Sequence, residues 1–397
     1  MDSKNLMQRS QNHICQTYNR YNLAITRGSG CYLYDQEGRQ YLDFVAGIAV
    51  CNLGHCPMEI ARVMYEQAQQ LVHVSNLYYT EPQVRLAEAL TGSCFADKVF
   101  FCNSGAEANE AAIKLARKYS RINYGPGRYS VITMKNSFHG RTLATLSATG
   151  QQKIQEGFEP LVDGFRYVEF DRVEAVAEAI DKTVCAVLVE PIQGEGGVRV
   201  PSRKYLYGLR ELCTTHDLLL IYDEIQVGMG RTAKLFSHQH EGVTPDIMTL
   251  AKALANGMPV GAMLTTDRVA KAFNPGSHAS TFGGTPLVTA VALEVFRKIS
   301  TPAFLEEVRR VGEYFKEHLL DLKDRYPFIK EVRGRGLILG IELDFPGSEV
   351  VAKCQERGVL INCTAERVLR FLPPLVVTTD EVDFLIETLE SVFSEKQ

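Results

Sequence analysis

The stretch from Leu218 to Lys252 constrains the fold of this chain more than any other. It begins with a short apolar run ending at Tyr222, which is typical of a strand that is buried on both faces. Asp223 and Glu224 follow directly. Ligands of open α/β sheets bind at the carboxyl ends of strands, so these carboxylates are candidates for a site. A second apolar run further along contains one charge, Lys252.

A lysine among apolar neighbours loses its proton readily, because burial disfavours the charged amine, and the free amine can form a Schiff base. A pyridoxal phosphate site needs such a lysine and a carboxylate that keeps the pyridine nitrogen protonated. Lys252 and Asp223 can supply both groups. Each also has an ordinary interpretation, as a surface lysine and as a residue that caps a strand.

The same stretch contains a competing motif. Gly228, Gly230 and Ala233 match G-x-G-x-x-A after a strand, as in dinucleotide-binding sites, and would favour an NAD-dependent dehydrogenase. The match is weak, because two residues separate the predicted strand from the first glycine and no helical period follows.

The composition is that of an ordinary globular protein. The 397 residues carry a net charge of -4, which gives no indication of a nucleic-acid or anionic-membrane partner. The polar start and the absence of a long apolar run predict a cytoplasmic location without a membrane span. Ten cysteines form no C-x-x-C pair and no Cys/His cluster at zinc spacing, so we predict free thiols and no metal.

A helix is predicted to begin at Ser104. Ser104 and Glu107 form an S-x-x-E capping box, and small and apolar residues then follow the helical period. The free backbone N–H groups of Gly105 and Ala106 can hold a phosphate at the positive end of the helix dipole. An ordinary capped helix is the alternative, and the nearby lysine and aspartate favour the phosphate.

Further polar residues follow other predicted strands. Phe138 can stack on a flat ring, and Arg141 can bind a carboxylate; core packing and a surface ion pair are their alternatives. Ser280 and Thr281 belong to a hydroxyl and glycine loop that can hold an anion. Arg370 lies in an apolar segment, and therefore needs a carboxylate from the protein or from a ligand.

The repeated order of strand, polar loop and helix predicts an α/β fold with a mostly parallel, doubly wound sheet. We divide the chain into an N-terminal segment at 1-55 that joins the small domain, a large cofactor-binding domain at 56-299 and a small α+β domain at 300-397. Residues 31-44 are predicted to form a hairpin, and 359-362 a single strand.

These motifs together resemble those of the class III, fold type I pyridoxal phosphate aminotransferases, most of all the branch that acts on N2-acetylornithine. The resemblance runs from about Ile25 to the C-terminus and rests on several ordered motifs: Asn103-Ser104-Gly105-Ala106-Glu107, Phe138-His139-Gly140-Arg141, Glu190, Asp223-Glu224-Ile225-Gln226, Lys252 and Ser280-Thr281.

The resemblance implies a role for each matching residue. Lys252 would form the Schiff base and move the proton, and Asp223 would pair with the pyridine nitrogen. The other implied cofactor contacts are Ser104, Gly105, Ala106, Phe138, Gln226 and Thr281 of the partner subunit. The implied substrate contacts are Arg141, Ser280, Glu190 and Arg370, with Glu190 and Arg370 forming a gate that opens for 2-oxoglutarate.

The resemblance also implies the reaction: transfer of the ω-amino group of N2-acetyl-L-ornithine to 2-oxoglutarate, in arginine biosynthesis, by a cytoplasmic homodimer. Succinylornithine, N-acetyl-lysine, ornithine and 4-aminobutyrate remain alternative donors, and a catalytically silent binding protein is a further alternative. Ile48 stands where ornithine δ-aminotransferases have a tyrosine, which favours an acylated donor. Cys56 and Ala233 also depart from the family pattern.

Overall fold

The computed structural model describes residues 3–396. Its strands are β1 (Ile25–Ser29), β2 (Tyr32–Asp35), β3 (Gln40–Asp43), β4 (Lys98–Cys102), β5 (Ser130–Met134), β6 (Phe165–Val168), β7 (Val184–Val189), β8 (Leu219–Asp223), β9 (Ile247–Leu250), β10 (Gly261–Thr265), β11 (Ile329–Arg335), β12 (Ile338–Leu343), β13 (Val359–Leu360), β14 (Asn362–Thr364) and β15 (Val368–Phe371).

The helices of the described range are α1 (Ser3–His13), α2 (Ala46–Ala49), α3 (Met58–Gln70), α4 (Glu81–Thr91), α5 (Gly105–Tyr124), α6 (Leu143–Ala148), α7 (Gln152–Gln155), α8 (Val173–Ala179), α9 (Arg203–Thr215), α10 (Asp267–Ala270), α11 (Pro286–Ile299), α12 (Pro302–Arg325), α13 (Ser348–Glu356) and α14 (Thr379–Ser394). Short 3-10 helices lie at Ser75–Leu77, Ser237–Gln239 and Lys252–Ala255.

The large sheet has seven strands in the order β4-β10-β9-β8-β7-β5-β6. All neighbouring strands are parallel except β10, which runs antiparallel to β4 and β9. Every residue of β5, β7 and β8 is buried, because helices cover both faces of the sheet. The predicted α/β fold is confirmed, and the carboxyl ends of the parallel strands meet at one edge.

Helix α5 begins where the sequence predicts, with a different cap. The hydroxyl of Ser104 accepts a hydrogen bond from the Glu107 backbone N–H at 3.2 Å, as expected. The carboxylate of Glu107, however, accepts from the backbone N–H of Asn103 at 2.9 Å rather than from that of Ser104. The capping box therefore does not use the backbone N–H of Ser104.

The N-terminal and C-terminal parts of the chain share a sheet. Strands β2 and β3 form the predicted hairpin, and β3 pairs in parallel with β13. A second small sheet has the order β11-β12-β15-β14. The run 359–362, predicted as one strand, is therefore divided between two sheets, because Ile361 separates β13 from β14. The proposed boundaries at 56 and 300 stay predictions.

Threonine side chains cap both long C-terminal helices. Thr301 caps α12 by accepting from the Phe304 N–H. Thr378 and Glu381 form a reciprocal capping box at α14.

Residues 224–236, which carry the glycine motif, form turns and bends rather than a strand-to-helix junction. A Cβ atom at Gly230 would lie 2.7 Å from the Ile299 side chain, so the turn packs against the protein interior. This packing contradicts a dinucleotide site there. Among residues 3–396, no helix has the length and apolar character of a membrane span, and no cluster of metal-ligating side chains is found.

Candidate active site

A cavity of about 400 Å³ opens at the carboxyl edge of the large sheet. Such a volume suits a small cofactor with its substrate. Nine of the sequence-predicted site residues line it: Ser104, Gly105, Ala106, Phe138, Arg141, Glu190, Asp223, Gln226 and Lys252. Ser280, Thr281 and Arg370 are not among its lining residues.

Asp223 is held by two donors at the end of β8. Its Oδ2 accepts from Asn109 Nδ2 at 2.7 Å and from His139 Nδ1 at 2.8 Å. Asn109 is itself fixed, because it donates to the His139 carbonyl and accepts from the Thr249 hydroxyl, both at 2.8 Å. The Asp223 carboxylate is therefore held in one orientation in a buried setting. Asn109 lies one helical turn after Gly105 and therefore faces the same site, although no motif in the sequence indicated a role for it.

Glu224 has a different role from its neighbour. Successive side chains at a strand end point to opposite sides, so Glu224 turns away from the cavity. Its carboxylate accepts the backbone N–H groups of Ser237 and His238, the latter at 2.7 Å. Only the first of the two predicted strand-end carboxylates belongs to the site.

Lys252 follows β9 and has a φ of 43°. This left-handed conformation is uncommon outside glycine and is found where the surroundings impose it. Burial lowers the pKa of Lys252, and Arg370 lowers it further, against the opposing effect of Glu195 and Asp223. The site thus favours the neutral, nucleophilic amine that the sequence predicts.

The first turn of α5 forms a close-fitting cradle. A Cβ at Gly105 would lie 2.7 Å from the Ile225 side chain, and one at Gly261 would lie 2.3 Å from the Ser104 carbonyl. Neither position accommodates a side chain, so the backbone itself lines this end of the cavity. The helix N-terminus that it exposes is suited to bind a phosphate.

Phe138 and Arg141 line the cavity beside this cradle. Phe138 is half-buried, and its backbone N–H donates to Glu190 Oε2 at 3.1 Å. Arg141 is exposed, with its guanidinium carbon 5.6 Å from the Phe138 ring centroid. Burial raises the pKa of Glu190 well above its ordinary value, and the charge of Asp223 raises it further. Glu190 therefore holds its proton more tightly than an exposed glutamate does.

The expected pairing of Glu190 with Arg370 is wrong for this structure. Arg370 Nη1 donates to Glu195 Oε1 at 2.6 Å and to Gln226 Oε1 at 3.2 Å. Burial alone would raise the pKa of Glu195, but Arg370 and Lys252 outweigh it and lower that pKa. Glu195 was not predicted as a site residue. Its position between two glycines, in the loop after β7, is the sequence feature that could have indicated it.

Ser280 and Thr281 lie at the margin of the site. The Ser280 hydroxyl accepts from Asn103 Nδ2 at 3.0 Å, and Asn103 lines the cavity. Thr281 is exposed.

Comparison with known proteins identifies the family of this chain. The family model described as "Aminotransferase class-III" matches residues 14–393. The chain belongs to the class-III aminotransferase family. It is an aminotransferase, and the cofactor of this family is pyridoxal phosphate. The alternative of a dehydrogenase is thereby excluded.

Individual relatives match over almost the whole chain. The chain is 50% identical to an acetylornithine aminotransferase of Caldanaerobacter subterraneus, with 96% of this chain and 98% of the relative covered. It is 47% identical to an acetylornithine aminotransferase of Methanocaldococcus jannaschii, with 100% and 99% covered.

Two solved structures show the same fold. The ornithine aminotransferase of Toxoplasma gondii has a TM-score of 0.96 at 35% identity, with 100% of this chain and 97% of that chain covered. The N-acetylornithine aminotransferase of Stenotrophomonas maltophilia has a TM-score of 0.84 at 38% identity, with 98% of each chain covered.

The cavity of this aminotransferase fits pyridoxal phosphate. The cradle at Ser104, Gly105 and Ala106 suits the phosphate, and Phe138 is placed to cover the ring. Asp223 offers a carboxylate that would pair with the pyridine nitrogen, and Lys252 offers an amine with a lowered pKa. The donor set is thus the one that the cofactor requires.

The residues that depart from the family pattern have left-handed backbone conformations. Ala233 has a φ of 66° and Cys56 a φ of 52°, in the left-handed region that favours glycine. Ala233 therefore carries the strain that the usual glycine avoids. Ile48 has a φ of 65° within a left-handed turn that also includes Ala46 and Ala49. A β-branched residue is strained there, and the next residue but one, Val50, lines the cavity.

Proposed function

We propose that this aminotransferase transfers the ω-amino group of N2-acetyl-L-ornithine to 2-oxoglutarate, giving N-acetylglutamate 5-semialdehyde and L-glutamate in arginine biosynthesis. The observation that carries the reaction is the placement of Lys252 and the anchored Asp223 in one cavity. The donor is supported by the names of the two relatives at 50% and 47% identity.

The residues divide the chemistry among them. When bound, pyridoxal phosphate supplies an electron sink for the carbon that loses its proton. Lys252 moves that proton, because its neutral amine is a base of suitable strength inside the cavity. Asp223, oriented by the Asn109 and His139 donors, would hold a proton on the pyridine nitrogen. Arg141 binds a substrate carboxylate through its planar fork.

We assign the selection between the two substrates to Glu195 and Arg370. Their contact at 2.6 Å neutralises the arginine while the donor reacts. 2-Oxoglutarate brings a second carboxylate, which competes with Glu195 for the Arg370 guanidinium. The sequence resemblance implied this role for Glu190. Glu190 instead accepts a hydrogen bond from the Phe138 N–H and so helps to position Phe138.

Ile48 favours an acylated donor in this proposal. An apolar side chain offers no hydrogen bond to a free α-amine, and burying a charged amine without a partner is costly. Ornithine is the second candidate, because the Toxoplasma gondii ornithine aminotransferase superposes with a TM-score of 0.96.

We propose a homodimer in the cytoplasm, with Thr281 completing the phosphate site of the partner subunit. The apolar surface supports this arrangement, because a monomer rarely exposes many large apolar side chains in one region, and the segment that holds Leu77 and Tyr79 lies against the loop of Phe282, where Asn76 donates to the Gly283 carbonyl at 2.9 Å. Met58, Leu77, Tyr79 and Phe282 are all more than half exposed, at 79%, 80%, 100% and 62%.

A single-turnover experiment tests the donor. The holoenzyme is mixed in turn with N2-acetylornithine, succinylornithine, N-acetyl-lysine, ornithine and 4-aminobutyrate, and the visible band of the cofactor is followed. N2-Acetylornithine should bleach the band fastest, and 2-oxoglutarate should restore it. Faster bleaching by another donor would refute the assignment of the substrate and leave the reaction class in place.

A further inference from the structure

A second concave site lies beside the C-terminal half of α5. It is a cavity of about 460 Å³, bounded by the helix, by the loop that follows it and by residues near Phe273. Lys114, Arg117, Lys118 and Arg121 face it from the helix at the i, i+3, i+4 and i+7 positions. We call this site the basic cavity; its lining residues are Lys114, Arg117, Lys118, Arg121, Gly125, Pro126, Gly127, Arg128, Tyr129, Phe273 and Ser277.

The basic cavity holds five cationic residues and no lining carboxylate. Two of its arginines are held by neutral acceptors. Arg117 donates to the carbonyls of Tyr129 and Asp163 at 3.1 and 2.7 Å. Arg128 donates to the carbonyls of Val184 and His216 at 2.8 and 2.6 Å. Carbonyl oxygens fix the arginines without cancelling their charge.

The lysines of the basic cavity also have neutral partners. Lys118 Nζ donates to Asn274 Oδ1 at 2.9 Å, and Lys114 Nζ lies 2.8 Å from His278 Nδ1. Burial lowers the pKa of His278, and the charge of Lys114 lowers it further, so this ring is neutral at neutral pH.

Three acidic residues beside the basic cavity form no ion pair with its cations. One of them, Glu110, lies one helical turn before Lys114 and accepts a hydrogen bond from the Thr142 hydroxyl. The carboxylate of Asp163 accepts the Gly164 N–H at 2.8 Å and lies 3.4 Å from the Tyr129 hydroxyl. Asp217 contributes its backbone carbonyl, rather than its carboxylate, to Arg128.

The contrast with another helix makes the cluster unusual for this protein. On α12, Arg309 pairs with Glu306 and Glu313, and Arg310 pairs with Glu307. Among the described residues, no ion pair involves any of the five cations of the basic cavity. The near-neutral composition of the whole chain conceals this local concentration of positive charge.

The walls of the basic cavity add features that suit a phosphorylated ligand with a flat group. Tyr129 and Phe273 present aromatic rings, and the Ser277 hydroxyl lies at the margin. Gly125 and Gly127 have open space where a Cβ would be, so a ligand can approach the backbone there.

We propose that the basic cavity binds a small polyphosphate anion of the nucleoside triphosphate class. The clustered cations would bind the phosphates, and the aromatic rings would contact the base. The site is separate from the catalytic cavity, because the two share no lining residue and Lys114, the cation of the basic cavity that is nearest to Ser104 in sequence, lies about 15 Å further along α5.

Binding is measured by calorimetry at constant ionic strength, using holoenzyme reduced with borohydride so that its own phosphate seat is filled. ATP and inorganic tripolyphosphate are the probes. We expect saturable binding of ATP at one site per chain, at least tenfold weaker in Lys118→Ala/Arg121→Ala. The matched control, Arg309→Ala/Arg310→Ala, should bind as the parent does.

The remaining arms identify the ligand. ATP binding tighter than tripolyphosphate supports the nucleoside triphosphate, whereas equal binding overturns the role of the rings and leaves an inorganic polyphosphate. A single-stranded oligonucleotide that binds while ATP does not would overturn the proposal. So would an equal loss in both alanine pairs, or no saturable binding. The charge-conserving Lys118→Arg/Arg121→Lys should retain binding, which separates loss of charge from loss of folding.

Discussion

Replacing Arg370 by methionine should slow one half-reaction and not the other. Arg370 is only 1% exposed, and methionine keeps much of its apolar volume while removing the charge. A charge-assisted hydrogen bond is worth about 1.5–3 kcal/mol, and 1.4 kcal/mol corresponds to a factor of ten. If 2-oxoglutarate takes the place of Glu195 on Arg370, its half-reaction should slow about 10- to 150-fold. The N2-acetylornithine half-reaction should change less than about threefold.

Single-turnover absorbance at each half-reaction measures this ratio directly. Arg333→Met is the matched control, because Arg333 is also buried and paired with carboxylates, but its partners Glu331 and Glu342 do not line the catalytic cavity, whereas Glu195 does. The control should lower the free energy of unfolding and leave the ratio of the half-reactions unchanged. If Arg370→Met slowed both half-reactions equally, or if the control changed the ratio as much, the assignment of Arg370 to 2-oxoglutarate would be refuted.

Three further changes test other parts of the site and fold. Asp223→Asn should lower kcat at least 100-fold, about 2.7 kcal/mol in the barrier, with little change in KM for the donor; a kcat near that of the parent would remove Asp223 from catalysis. Burial lowers the pKa of His55, but its hydrogen bonds to Asp43 and Cys51 outweigh burial and raise that pKa to about 10. The stabilisation that comes from protonated His55 is complete below about pH 6.5 and is lost as the pH rises through about 10. The free energies of unfolding of the parent and of His55→Asn, measured with denaturant, should therefore converge by about 1–2 kcal/mol towards pH 10, after allowance for solvent screening. A difference that stays constant with pH would contradict this. Ala233→Gly should raise the free energy of unfolding by about 0.5–1 kcal/mol because φ is 66° there, whereas Ala352→Gly in α13 should lower it by about 1 kcal/mol; a loss at both positions would refute the strain at Ala233.

The sequence predicted the sheet and the centre of the site well. An apolar run predicted β8, and Ser104 predicted the start of α5, because burial and capping are local in sequence. Lys252 was recognisable because a charge inside an apolar run is costly without a function.

The partner of Arg370 could not be predicted from spacing. Glu190 and Glu195 lie five residues apart in one loop, and only the path of that loop turns Glu195 towards Arg370 and Glu190 towards Phe138. The divided strand at 359–362 has the same origin, because its two halves satisfy different neighbouring strands. The strain at Ala233 is likewise a property of the backbone, which the identity of the residue alone does not reveal.

The central claim is that Lys252 anchors the cofactor. Borohydride reduction of the purified protein, followed by peptide mass mapping, tests it most directly. We expect a yellow protein that bleaches on reduction, with the added mass of the reduced cofactor on the peptide that contains Lys252 and none in Lys252→Ala. A label on another lysine, or a protein without a visible band, would contradict the account.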